Sequence, residues 1–334
     1  MTQGPGNITV TPDDRIIVSL HQFYKTDDRV VEVSRDGRLT PFPNPEWAQG
    51  RNPDGTGLDS VLGIQADANG VVWMLDNGMR DQVTPQLVGW NTRTNQPEQI
   101  IPLPLPITAK NSFLNDLAVD LTHQAVYIAD TTLGGAPALI VVDLKTGKAR
   151  RVLSGQASVL PEKIDLIIDG KPVQSVQSDG TILRPNIGVN PIALDAKNEW
   201  LYYGPMHGTR LFRLRTSDLL NPDLQPDQLA QQVEDYAEKP ICDGISIDQA
   251  NNIYITDLGS DAIGVIRPNR SYQKLISAPW IAWPDAFSFG PDGYIYGVIN
   301  QLHRTPALNG GVDDVKPPFL IIRFKPLAPG VIGR

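Results

Sequence analysis

The chain has 334 residues, with 29 Lys plus Arg against 37 Asp plus Glu and a formal net charge of −8. An acidic chain without a basic cluster cannot neutralise phosphates, which argues against nucleic acid and anionic membrane as partners. Its one cysteine, Cys242, rules out an internal disulfide, and no apolar run approaches the roughly 18–20 residues that span a bilayer.

In chain order, one unit recurs. A short apolar strand ends in Asp, a tight polar turn follows, and a second apolar strand ends in a polar residue. The copies are NITVTPDDRIIVSLH at Asn7–His21, LGIQADANGVVWMLD at Leu62–Asp76 and NDLAVDLTHQAVYIAD at Asn115–Asp130. They continue with NPIALDAKNEWLYYGPMH at Asn190–His207, DGISIDQANNIYITD at Asp243–Asp257 and DAFSFGPDGYIYGVIN at Asp285–Asn300. Further strand-like runs lie between copies, such as RVVEVS at Arg29–Ser34, ALIVVD at Ala138–Asp143 and RLFRLR at Arg210–Arg215. Four strands per unit, repeating at roughly 40–50 residues, is the pattern of a propeller blade. Six copies predict an all-β, six-bladed β-propeller as a single domain over 1–334. A β-sandwich also has many strands, but it does not repeat one hairpin six times.

Two stretches break the rhythm, at about 154–185 and 216–239, and are expected as loops over one face. A short helix is expected within DQLAQQVEDYAEK (Asp227–Lys239) in the second. Pro102–Pro106, PLPLP, reads as a stiff extended connector.

The repeat also maps a site. The first strand of a blade lines the channel and the second runs antiparallel outside it, so the start of one meets the end of the other on one face. Counting five residues back from the turn Asp gives Ile8, Leu62, Asn115, Asn190 and Asp243, with Asp285 opposite Gly290. Asn115, Asn190, Asp243 and Asp285 therefore come from four consecutive blades and form an oxygen set suited to a hard divalent cation such as Ca²⁺. Asp116, beside Asn115, is a further candidate for ligand contact. The second-strand ends form an expected outer ring of His21, Asp76, Asp130, His207, Asp257 and Asn300, placed to supply acid, base or substrate contacts.

Other residues read as structure. Asp67, Asp120, Asp195 and Asp248 fall in the hairpin turns, and Cys242 reads as a small buried hydrophobe. No Cys/His cluster has zinc spacing, and no nucleophile elbow, phosphate loop or dinucleotide fingerprint occurs.

The segments SVLGIQADANGVVWMLDNG (Ser60–Gly78), SFLNDLAVD…VYIADTT (Ser112–Thr132) and WPDAFSFGPDGYIYGVINQ (Trp283–Gln301) resemble the major royal jelly protein/yellow family. So do PQLVGWNTRTNQPEQIIPLP (Pro85–Pro104) and NPIALD…LYYGPMHGTRLFRLRTSDLLN (Asn190–Asn221). The resemblance implies a six-bladed propeller with a ligand pocket at one end of the channel, in a family often secreted and associated with pigment chemistry or small amines. The chain lacks the family's usual cysteine pairs, which suggests a bacterial-type relative. Its start, Met1–Asn7, shows no signal peptide, and a single cysteine also fits the cytoplasm. A weaker resemblance is to the gluconolactonase/regucalcin group, whose metal-ligand positions match Asn115, Asn190 and Asp243. That group's glutamate ligand has no match here, and Asp285 is the candidate replacement.

Two functions follow as expectations. One is a metal-dependent hydrolase, lactonase- or esterase-like, in which Asp243, Asp130 or Asp257 is the base. The other is a non-catalytic binder of a small aromatic amine. Either partner is a small molecule.

Overall fold

The computed structural model describes residues 1–132, 134–177 and 179–334. It forms a six-bladed propeller in which each blade is one contiguous stretch of chain. The innermost strands are Pro5–Val10, Val61–Ala66, Leu114–Asp120, Val189–Leu194, Ile245–Ile247 and Pro284–Phe289. Blades 1 to 5 have four antiparallel strands and blade 6 has three, ending in Leu320–Phe324. Among the described residues no helix is long and apolar enough to cross a membrane.

Alternation explains the core. Each blade is a twisted sheet with two apolar faces, and each face must be covered by the next blade. Ile17, Val30 and Phe42 of blade 1 pack on Val61, Ile64 and Met74 of blade 2. The sixth such interface joins Val298 and Tyr296 of blade 6 to Ile8, Val10 and Val18 of blade 1, and so closes the ring.

Backbone pairing adds to the closure. Phe319 N–H donates to the Met1 carbonyl at 2.8 Å. The C-terminal tail crosses the channel at the end that carries the hairpin turns. There Arg334 donates to the carbonyls of Asp195 (3.0 Å) and Val119 (3.1 Å) and to Asn198 Oδ1 (2.5 Å).

The two inserted stretches do not share a face. Residues 154–185 fold into two small hairpins, Ile167–Ile168 with Lys171–Pro172 and Ser175–Val176 with Ile182–Leu183. Leu166, Ile168 and Val173 pack there on Met206, Leu258, Trp283 and Leu302 at the mouth end of the channel. The second stretch lies at the opposite end, where Thr216 Oγ1 donates to the carbonyl of Asn198 at 2.7 Å, next to an innermost hairpin turn. The expected helix is also shorter than DQLAQQVEDYAEK. Pro226–Gln231 is helical, and Glu234–Glu238 is the outer strand of blade 4, drawn into the sheet by burial of Tyr236 and Ala237.

Candidate functional site

In five blades the pairing of the first two strands breaks at the mouth, between Pro5 and Ile8, Val61 and Ile64, Ala129 and Asp130, Val189 and Ile192, and Pro284 and Phe287. Such bulges leave residues out of the ladder and re-aim their side chains. In blade 5 the same freedom arises because Asp243 N–H and Gly244 N–H both donate to Thr256 Oγ1 (2.9 and 3.0 Å). Two glycines let neighbouring bulges converge. A Cβ on Gly63 would lie 2.8 Å from the Asn115 carbonyl oxygen, and one on Gly244 would lie 2.0 Å from that of Asp285.

The result is a cavity of about 190 Å³ at the mouth. Its polar floor is Asn7, Asn115, Asp116, Asn190, Asp243 and Asp285, and Phe23, Leu62, Phe113, Met206 and Trp283 supply apolar wall. His21 and His207 also line it, as do Val173 and Pro185 of the first insertion.

The floor is a connected network. Asn190 Nδ2 donates to Asp243 Oδ1, and Trp283 Nε1 donates to Asp243 Oδ2 at 2.7 Å. Asn7 Nδ2 donates to Asp116 Oδ1 at 3.1 Å, and Leu117 N–H donates to the same oxygen at 2.8 Å. Asn300 Nδ2 donates to Asp285 Oδ2. Among the described residues, none of these three carboxylates pairs with Lys or Arg.

Burial is therefore the largest influence on all three. It pushes Asp116 up to about 7, against the Leu117 N–H, with the Asp243 charge adding to the rise. It pushes Asp243 up to about 6, opposed by the Trp283 and Asn190 donors. It raises Asp285 well above the usual carboxylate range, reinforced by the charges of Asp243 and Asp116.

Sequence counting misplaced one blade. Ile8 is not at the mouth but buried in the interface between blades 6 and 1. The turn of blade 1 begins at Thr11, not Asp13. Thr11 N–H donates to the Arg15 carbonyl and Thr11 Oγ1 accepts from Arg15 N–H, as Asp248 does with Asn252. Five residues before Thr11 is Gly6, which puts Asn7 in the bulge. Recognising Thr as a stand-in for the turn Asp would have found it. Trp283, directly before Pro284-Asp285, had no signal in the repeat.

The outer ring divides. His21 and His207 line the cavity; Asp76, Asp130, Asp257 and Asn300 do not. Asp76 is fully buried, accepting from Asp59 N–H (3.0 Å), Ser60 N–H (2.8 Å) and Arg51 Nη2 (2.6 Å). Asp130 accepts from Phe113 N–H (2.9 Å), Ser112 Oγ and Arg151 Nη1. Asp257 accepts from Tyr272 Oη at 2.6 Å. Asp76 and Asp130 tie loops to their blades and Asp257 ties the second strand of its blade to the outermost one, so Asp130 and Asp257, expected as bases, lie outside the cavity lining. Asn300 supports Asp285 from behind the floor.

Any divalent cation would need the amides as well as the acids. Among the described residues no group of three or more His, Cys, Asp or Glu is arranged to hold a metal ion. The donors offered by Asn115, Asn190, Asp243 and Asp285 are all oxygens, which fits a hard cation and not a thiolate- or imidazole-seeking one.

Several known proteins share this architecture. Structures similar to this one include a luciferin-regenerating enzyme (TM-score 0.62, 12% identity, 99% of this chain and 94% of that one). A gluconolactonase from Xanthomonas campestris is also similar (TM-score 0.58, 11% identity, 90% and 84% coverage). So is a calcium-binding regucalcin from Agrobacterium tumefaciens (TM-score 0.55, 15% identity, 89% and 82% coverage). At such identities the likeness is one of fold.

In sequence, the chain is similar to major royal jelly protein 1 of Apis mellifera, 21% identical over 283 residues, covering 78% of this chain and 61% of that protein. Major royal jelly protein 3 of the same organism is 21% identical over 257 residues, covering 73% and 45%. The chain thus spans 61% or less of the length of these two relatives. The pattern that defines the family of major royal jelly proteins matches residues 59–276, more than half of the sequence. This chain belongs to the major royal jelly protein family.

Proposed function

We propose that the mouth of the channel is the site of a cation-dependent hydrolase, lactonase- or esterase-like, acting on a small uncharged molecule. One observation carries this reading: Asn115, Asn190, Asp243 and Asp285, from four consecutive blades, converge on the floor of one cavity, and among the described residues no Lys or Arg pairs with these carboxylates. Uncompensated buried charge is costly, and a bound cation offsets that cost. The four residues would hold a divalent cation, with Ca²⁺ the best match to their oxygens. When bound, such an ion supplies polarisation of a carbonyl and a more acidic water. Asp243, buried, and Asp116, half-buried, are the proton-accepting candidates at the floor of this site. Phe23, Phe113, Trp283 and the first insertion exclude bulk water from the ligand.

A second reading is favoured by the walls. Phe23, Phe113, Trp283 and Met206 above an acidic floor also suit an aromatic amine, its ring between the walls and its ammonium on the carboxylates.

Elemental analysis with Ca²⁺ titration by calorimetry separates the two. One tight ion per chain, lost in Asp243→Ala with the fold intact, supports the hydrolase, and lactone and ester hydrolysis is then assayed. Unchanged metal stoichiometry in that variant removes Asp243 from the site. An absence of bound ion and of heat, together with binding of tyramine, replaces the hydrolase with the binder.

A further inference from the structure

Blades 1 to 5 each end in an outer fourth strand, whereas blade 6 stops at its third, Leu320–Phe324. Where a fourth strand would lie, a groove of about 520 Å³ runs between Ile321, Ile322 and Arg323 of blade 6 and Val33, Ser34 and Arg35 of blade 1. It shares no lining residue with the mouth cavity.

A fourth strand is begun there and left open. The Met1 amino group donates to the Phe319 carbonyl at 2.7 Å, and Phe319 N–H donates to the Met1 carbonyl at 2.8 Å. Two residues that exchange both bonds form an antiparallel pair, here on the outer edge of the sheet. Backbone groups alternate in direction along a strand. Leu320, Ile322 and Phe324 therefore bond inward, opposite Ile299, Gly297 and Ile295, while Ile321 and Arg323 turn their N–H and C=O outward. Among the described residues these outward groups of Ile321 and Arg323 have no hydrogen-bond partner.

The groove also says what would fit it. Its edge lies one strand, about 4.8 Å, inside the line of a four-stranded blade, so a slender extended segment reaches it more easily than the sheet of another propeller. The side chain of Ile321 turns toward blade 1, among Met1, Ile16 and Val33, so an aliphatic residue opposite it would be covered. Arg15 and Arg35 are already paired, with Glu32 at 2.7 Å and Asp14 at 2.5 Å. Arg323 is 58% exposed and meets Asp292 only at 3.3 Å. Lys325 lies over the Tyr294 ring and has no carboxylate partner among the described residues. The open edge is thus cationic on an acidic chain, which favours a carboxylate opposite Arg323.

We propose that the open edge of blade 6 docks an extended peptide segment as a fourth, antiparallel strand, with an aliphatic residue opposite Ile321 and an acidic one opposite Arg323. Backbone bonds to Ile321 and Arg323 supply the attachment, and the two side-chain positions supply the selectivity.

The probes are acetyl-Thr-Glu-Val-Ile-Thr-amide, which places Glu opposite Arg323 and Ile opposite Ile321, and the same peptide with Lys in place of Glu. By calorimetry the wild type should bind the Glu peptide about threefold more tightly than the Lys peptide, and Arg323→Glu should invert that preference. Arg323→Pro removes an outward N–H without touching the inward bonds, and should weaken both peptides about tenfold. In amide exchange, Ile321 and Arg323 should be fast in the free protein and slowed by the Glu peptide, with Leu320, Ile322 and Phe324 slow throughout. Those slow amides also report that each variant is folded, and Arg323→Glu carries the test if Arg323→Pro is not. No binding by the wild type overturns the proposal, as does a peptide preference that Arg323→Glu leaves unchanged. Binding that leaves the Ile321 and Arg323 amides fast overturns it too. A wild-type dimer in sedimentation that Arg323→Pro converts to monomer gives the edge to a second copy instead, and equally ends the proposal.

Discussion

The two ends of the channel use the same residue type in opposite ways. At the turn end, Asp67 and Asp248 each accept from three donors or more. Asp248 alone accepts from Ala250 N–H (2.9 Å), Asn252 N–H (2.9 Å), Tyr254 Oη (2.9 Å) and, from the C-terminal tail, Ala328 N–H (3.2 Å). At the mouth end, Asp116, Asp243 and Asp285 share a few amide and indole donors and repel one another. A carboxylate whose lone pairs are all filled holds backbone together. A carboxylate buried short of donors is kept for something else, because the unfilled oxygens destabilise the empty protein. The difference lies in what surrounds each Asp, not in its place in the repeat.

Substitutions at the two ends should break this comparison in opposite directions. Asp243→Asn should weaken cation binding by about a hundredfold or more while leaving the urea midpoint equal or higher, since it removes one of three repelling charges. A lowered midpoint with intact binding would show that Asp243 is a structural residue like Asp248. Conversely, Asp248→Ala should cost about 3 kcal/mol, because a cluster of buried donors loses its acceptor, with binding by the folded protein unchanged. Urea unfolding beside calorimetry reads both effects.

The mouth should also reveal itself through pH. In the folded chain Asp116 is raised to about 7, above its ordinary value of 3.8. The folded state therefore holds this proton more tightly than the unfolded one. The associated stability is complete below about pH 4 and is lost as pH rises through 7. In cation-depleted protein, Asp116→Asn should remove that slope and be the more stable form at pH 8, by about 1–3 kcal/mol. Parallel curves for the two proteins between pH 4 and 8 would mean that Asp116 is not strained by burial.

The smallest effect belongs to the tail. Arg334→Ala removes donors to two carbonyls and to Asn198, and should cost about 1–2 kcal/mol while leaving the mouth untouched. A changed ligand affinity in this variant would show that the two ends are coupled through the channel.

Much of this was legible in the chain. The turn residues Asp67, Asp195 and Asp248 follow from their place between two short apolar runs, and the inward aim of Asn115, Asn190, Asp243 and Asp285 follows from counting back from a turn. Both inferences need only local periodicity. Counting failed in blade 1, where Thr11 performs the Asp role with a hydroxyl. It also grouped His21 and His207 with Asp76 and Asp130, although the two carboxylates are the last paired residues of their second strands and the histidines lie one and two residues beyond the equivalent Leu20 and Pro205. Long-range contacts separate them further: Arg51 and Arg151 reach Asp76 and Asp130, while the two buried histidines accept from backbone N–H groups at the cavity wall.

The sequence by itself determined the number of blades, the position of each innermost hairpin and the acidic character of one channel end. These are set by alternation and turn chemistry within about twenty residues, where strand and turn preferences act directly. Only the tertiary structure decided how the ring closes, which end each insertion covers and which polar residues stay unsatisfied. Those depend on which side chains from distant blades arrive at the same point, and a hydrogen bond or an ion pair across the ring leaves no periodic trace in the chain.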